Sequence, residues 1–101
     1  MSSESHIESM VVYYAKTFGA EAIKQTMFMF YGVAGWPDHV FLAPKIKMRP
    51  PLFIEFKTPE GKLSTLQRGK IQWLRDHGYP VHCCRSIPMG KLYIDHWLGK
   101  R

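Results

Sequence analysis

Leu52-Phe53-Ile54-Glu55-Phe56-Lys57 is the stretch on which the fold turns. Its length and its aromatic and branched residues read as a strand. Side chains alternate across a strand, so Leu52, Ile54 and Phe56 take one face and can bury. Glu55 and Lys57 share the other face, about 6–7 Å apart along the chain. An acid and a lysine side by side on an otherwise apolar strand have two explanations. One is an edge strand with a solvated ion pair, which is worth little energetically. The other is a carboxylate that binds a cation beside a lysine that handles a water or a phosphate.

On the N-terminal side, His39-Val40-Phe41-Leu42-Ala43 reads as a strand closed by Pro44. Lys45 to Pro51, alternating basic and apolar residues between prolines, reads as a hairpin connection between the two strands. Gly32, Gly35 and Pro37 form a turn ahead of them. The apolar run Thr26-Met27-Phe28-Met29-Phe30-Tyr31 has strand length. Before it, Ile7, Met10, Val11, Tyr14, Ala15 and Phe18 recur at helical spacing, predicting a helix from about Glu4 to Phe18 with Gly19 at its end. On the C-terminal side, Thr58 to Lys62 turns the chain. Ser64 with Gln67 three residues on is a capping-box pattern, opening a helix that runs to about His77 and stops at Gly78. Pro80-Val81-His82-Cys83-Cys84 is a fourth short strand. Ser86 onward, with Leu92, Tyr93, Trp97 and Leu98, reads as a terminal helix despite Pro88 and Gly90. The order α-β-β-β-α-β-α is mixed α/β, a sheet covered by helices. Phe18, Phe28, Phe30, Phe53 and Trp73 fall on the faces expected to bury, which favours core packing over base stacking.

The chain has 101 residues, 46% hydrophobic and 22% charged, with a net charge of +6. That is the composition of an ordinary globular protein with room for one domain. Its charge is uneven: residues 1–40 carry two lysines against four acids, and residues 41–101 carry twelve basic residues against four acids. A basic excess concentrated in this way points to a polyanionic partner. No apolar run approaches the ~20 residues of a membrane span, and the N-terminus lacks the blocks of a signal peptide. Cys83 and Cys84 are adjacent, too strained for a disulfide between them and wrongly spaced for a structural zinc site, so both are expected as reduced thiols. Gly61-Lys62-Leu63-Ser64 has the outline of a phosphate loop. It lacks the hydroxyl residue after the lysine and the earlier glycine, so no nucleotide cofactor is expected.

Two more acids bear on Glu55. Asp38 follows Gly35-Trp36-Pro37 and opens the strand expected to pair with the one carrying Glu55. Such a turn can aim a carboxylate at the neighbouring strand, or the aspartate can bond its own backbone. Two converging carboxylates suit hard Mg²⁺ or Mn²⁺ better than a soft metal. Glu8 lies at the rim of the first helix's apolar face, where Ser5-His6-Ile7-Glu8 also fits a capping box. Gln67 shares a stripe with Ile71 and Leu74 that faces the sheet. Capping explains it, and so does orienting a water near Lys57.

Glu8 in the first helix, Gly-x-Pro-Asp before a strand, Glu-x-Lys in the next, and Gly-Lys-Leu-Ser-x-x-Gln opening a helix together resemble the VRR-NUC family, the virus-type replication and repair branch of the PD-(D/E)XK nucleases. The likeness runs from Glu8 to about Cys84. It implies a restriction-endonuclease-like αβββαβ core, a mixed sheet flanked by helices with a C-terminal helix, in one nuclease domain over residues 1–101. It implies Asp38 and Glu55 as metal ligands, the main-chain carbonyl of Phe56 as a further ligand, and Glu8 as a ligand or water-mediated partner. Lys57 would position or deprotonate the attacking water, and Gln67 would hold the lysine or the water. The residues around the acidic turn, Trp36 and His39, count as local variations. Compact family members resemble viral or prophage enzymes that act as homodimers on branched DNA, including four-way (Holliday) junctions. The implied activity is a Mg²⁺- or Mn²⁺-dependent, structure-selective DNA endonuclease in the cytoplasm of a bacterial or phage-infected cell. Met27, Phe28, Met29 and Phe30 are candidates for an apolar dimer surface. Lys45, Lys47, Lys62 and Arg68 are candidates to hold flanking phosphates. The rival from another class is a catalytically inactive DNA-binding module on the same fold.

Overall fold

A computed structural model describes residues 3–25 and 35–100. Helix α1 (Glu4–Lys16) starts at Ser3, whose side chain accepts the His6 backbone N–H at 3.1 Å. Its residues Ile7, Val11 and Ala15, four apart, are fully buried. Four strands follow, β1 (Glu21–Lys24), β2 (His39–Leu42), β3 (Leu52–Phe56) and β4 (Val81–Cys84), with α2 (Thr65–Asp76) between the last two and α3 (Ile87–Trp97) at the end. The sheet order is β1-β2-β3-β4. The first three strands are antiparallel neighbours, and β4 lies parallel to β3. Parallel neighbours need a crossover, and α2 supplies it.

The alternation expected in β3 holds. Leu52, Ile54 and Phe56 are all fully buried and pack with Ile7, Val11, Phe41, Ile94 and Leu98 under α1 and α3. Phe53 joins the opposite layer, where Ile71 and Leu74 of α2 meet Val81. The result is helices on both faces of a mixed sheet, as the sequence leads one to expect. Helix α3 opens at Ser86, which accepts the Met89 N–H, and tolerates Pro88 because the first turn of a helix has no use for that N–H. Gly90 is where α3 meets α1: a Cβ there would stand 2.3 Å from Val11 Cγ2. No helix among the described residues is long and apolar enough to cross a membrane.

The strand expected at Thr26–Tyr31, with the apolar dimer surface at Met27–Phe30, lies outside the described residues. The first described strand is β1, at Glu21–Lys24, which the sequence does not announce. It is a largely exposed edge with a charge at each end and one β-branched residue, so it carries no hydrophobic alternation. The connection from Lys45 to Pro51 does join antiparallel strands, through a 3-10 turn at Lys45–Lys47 and Met48 at φ 50°.

Candidate active site

Glu55 is not on an edge. It sits in β3, between β2 and β4, and is only 5% exposed. The solvated ion pair is therefore excluded. Its Oε2 is 3.9 Å from Lys57 Nζ and accepts a 3.3 Å hydrogen bond from Gln67 Nε2. Burial, with the Asp38 charge as the second cause, raises the Glu55 carboxyl from its ordinary 4.5 to about 7, against the opposing pull of Lys57.

Gln67 fills the capping role, and the partner of its other end is Glu55 rather than Lys57. Its Oε1 accepts the Ser64 N–H at 2.8 Å while Ser64 Oγ accepts the Gln67 N–H at 3.0 Å, completing the capping box. The other end of the same amide holds Glu55. Lys57 is fixed from both sides. Its N–H extends the ladder to the Cys84 carbonyl at 2.9 Å, and Arg85 clamps the following turn by donating to the Thr58 and Gly61 carbonyls.

Asp38 does not bond its own turn. Its carboxylate reaches β3 and accepts the Phe56 N–H, at 3.2 Å to Oδ1 and 3.4 Å to Oδ2. The register explains this: His39 pairs with Ile54, so Asp38 continues the line opposite Glu55. The turn owes its shape to Gly35, at φ +95°, where a Cβ would lie 2.8 Å from the Leu66 backbone. This close approach docks the Asp38 turn against the first turn of α2. Gly35→Ala is expected to lose at least about 2 kcal/mol of stability in urea unfolding, from left-handed strain plus overpacking. It should also displace Asp38 from Phe56, which hydrogen exchange would read as lost protection of the Phe56 amide.

Glu8 departs from the capping reading. The cap is Ser3, two residues before Ser5, and Glu8 is free to turn inward. Its Oε1 is 3.3 Å from Lys24 Nζ and 3.3 Å from His39 Nδ1. His39 Nδ1 is also 3.5 Å from Asp38 Oδ1. Donor atoms of Glu8, Asp38 and His39 all lie within 4.8 Å of one another, a span that one divalent ion with bonds of ~2.0–2.6 Å can bridge. Glu55 stands beside this trio rather than within it.

His39 is the residue that sequence reasoning passed over as a local variation. It is 5% exposed, with its ring edge-to-face on Phe56 at 5.3 Å. The signal was present: His39 and Phe41 are two apart and share the buried face of β2. Lys24 lies on β1, the edge strand that carries no hydrophobic alternation.

The basic candidates divide. Lys45 and Lys47 sit at the far end of the β2–β3 hairpin from Asp38 and Glu55, about 15 Å away by strand rise. Lys62 is exposed in the loop before α2. Arg68 is close to the centre. With Gln72 and Arg75, at i, i+4 and i+7, it lines a cleft of about 260 Å³ beside Cys83, the register partner of Glu55. Gln72 and Arg75 are additional groups of this flank. Cys83 and Cys84 are free thiols, both pushed above their ordinary value by burial, Cys84 to about 11, and so stay protonated. Trp73, expected to be buried, is 48% exposed on the opposite flank of α2. Only the Gln67, Ile71 and Leu74 stripe is turned to the sheet, and Trp73 falls outside it.

A four-stranded mixed sheet between helices thus gathers acids, a lysine and a glutamine at one end of its central strands. A family model described as the VRR-NUC domain matches residues 7–88, and the chain belongs to that family. Two solved structures share the fold. One, described as a VRR_NUC domain, is 18% identical with a TM-score of 0.78, covering 95% of this chain and 99% of that one. The other, a VRR_NUC domain protein, is 19% identical with a TM-score of 0.73, covering 98% and 92%. No curated protein matches the chain.

Proposed function

We propose that the chain is a divalent-metal-dependent, structure-selective endonuclease that hydrolyses phosphodiester bonds in branched DNA, four-way junctions foremost, as a homodimer. The observation that carries this reading is the coupled set at the end of β2 and β3: Glu55 bonded to Gln67 beside Lys57, with Asp38 and Glu8 alongside. Hydrolysis must bring a water to an anionic phosphate and offset the charge that gathers on its oxygens. The donors that would hold Mg²⁺ or Mn²⁺ are Asp38 and Glu8, whose oxygens converge with His39 Nδ1, together with Glu55 and the Phe56 carbonyl beside them. When bound, the ion lowers the pKa of water and neutralises phosphate charge.

The chain's own residues do the rest. Phe56 N–H and His39 orient the Asp38 and Glu8 carboxylates before substrate arrives. Gln67 holds Glu55 from α2. Lys57 Nζ, beside Glu55 Oε2, hydrogen-bonds the attacking water and places a positive charge against the phosphoryl oxygens. Arg68, with Lys62, contacts the phosphates next to the cut, while Lys45 and Lys47 reach an arm farther away. An inactive DNA-binding module would keep a buried acid that weakens the metal-free fold and repels DNA, with nothing gained.

The test is a panel of labelled substrates, comprising a four-way junction, a flap, a splayed arm and a plain duplex, with Mg²⁺, Mn²⁺ or chelator. Metal-dependent incision of the junction, at least about tenfold faster than of the duplex and absent in chelator, is expected. DNA binding without incision under every metal and pH would overturn the reading. Symmetric incision needs two centres, which a two-fold dimer supplies. Sedimentation showing only monomer during full junction cleavage would remove the dimer.

A further inference from the structure

Helix α2 carries a second flank that the reaction chemistry does not use. Leu66, Gly69, Lys70 and Trp73, at i, i+3, i+4 and i+7, line with Thr65 an open cleft of about 250 Å³. Trp73 is 48% exposed and Leu66 59%. The Trp36 ring meets Trp73 edge-to-face at 5.7 Å, and His77 stacks on Trp73 at 3.8 Å. Lys70 Nζ stands 4.7 Å over the Trp36 ring. At Gly69 nothing lies within 4 Å of where a side chain would begin, so the cleft is open along the helix.

We propose that this cleft stacks an unpaired DNA base next to the cleavage centre. The inference rests on the nuclease reading above and narrows its substrate to DNA with an unstacked nucleotide near the cut, as at a branch point. Position supports it. Trp36 is two residues before Asp38, and Leu66 is the neighbour of Gln67, which holds Glu55. Chemistry supports it too: Trp73 lines the cleft with half its surface open, an aromatic ring takes any base, and Lys70 beside it meets the attached phosphate. The volume is below that of sites enclosing drug-sized ligands, so it suits a single base rather than a duplex. A second copy of this chain is the poorer occupant. A two-fold contact sets the same patch against itself, and the cleft lining offers no acid to meet Lys70 in a protein of net charge +6.

Intrinsic fluorescence with a short oligothymidylate in EDTA tests this without any cleavage. Trp97 is 6% exposed and bonded to the Pro50 carbonyl, so quenching reports the Trp36–Trp73 pair. Quenching is expected in the wild type. Trp73→Ala should weaken binding of the single strand and of a flap about tenfold, with duplex binding unchanged. Trp73→Phe keeps a stacking face and should restore most of the affinity, which also guards against a folding defect in the alanine variant. Unchanged single-strand affinity in Trp73→Ala would overturn the proposal, as would an equal loss on duplex. So would a Trp73→Ala protein that sediments as a smaller species yet binds DNA normally, since that marks a protein interface. A wild type that is quenched but never cuts counts against the endonuclease and for the cleft.

Discussion

Replacing Lys57 with methionine is expected to slow junction cleavage by about 10²–10³-fold, the usual cost of one electrostatic contact to a transition state. Methionine matches the apolar stem of lysine and lacks the ammonium. The half-buried position, on the chain between β3 and the turn clamped by Arg85, should therefore hold its backbone. The loss belongs in the chemical step: single-turnover rates fall, while Mn²⁺ uptake and junction affinity in chelator stay near wild type. Equal losses in binding and rate would make Lys57 an ordinary phosphate contact. Lys57→Arg should rescue little, because a planar guanidinium cannot present a compact charge at the same point.

Glu55→Gln is expected to stabilise the metal-free protein at high pH while abolishing cleavage. The folded-state carboxyl titrates near 7 and the ordinary one at 4.5. A raised folded-state value means that the native protein holds a proton which the unfolded chain has released. The stabilisation from this group is therefore complete below about pH 4.5 and fades as the pH rises through 7. For a group this buried, the wild type should lose up to about 3 kcal/mol across that window, a fall of roughly 10 °C or more in melting temperature. Glutamine cannot ionise and keeps hydrogen-bonding capacity toward Gln67, so its profile over the same window should be flatter. Mn²⁺ should raise the wild-type melting temperature most at pH 8, where no proton has to leave, and should have far less effect on Glu55→Gln. A wild-type profile that is flat between pH 5 and pH 8 in chelator would contradict the buried-acid account.

Much of this architecture was legible because short-range rules happen to agree with the tertiary structure. The β3 alternation, the Ser64–Gln67 box and the helix from Ser86 onward are all local, and each appears where the residues place it. Whether β3 was an edge or an interior strand was not among these local features; that depends on β2 and β4 pairing on either side of it. What was hidden depends on partners distant in sequence. β1 exists because β2 pairs with it, not because Glu21-Ala22-Ile23-Lys24 favours a strand. The inward turn of Glu8 depends on the cap falling at Ser3, and the part played by His39 depends on Glu8 reaching it across the fold. Trp73 was misplaced for a related reason: a helix on a narrow sheet buries one stripe, and an aromatic just outside that stripe stays open to solvent.

The shared amide of Gln67 ties two kinds of failure together. Helix ends open at lower free energy than the packed strands of a core. Here that opening would release Ser64 and Glu55 in one event, since a single side chain spans both. Catalysis should therefore have its own, lower thermal ceiling, and inactivation on mild heating should reverse on cooling while the hydrophobic layers are still intact.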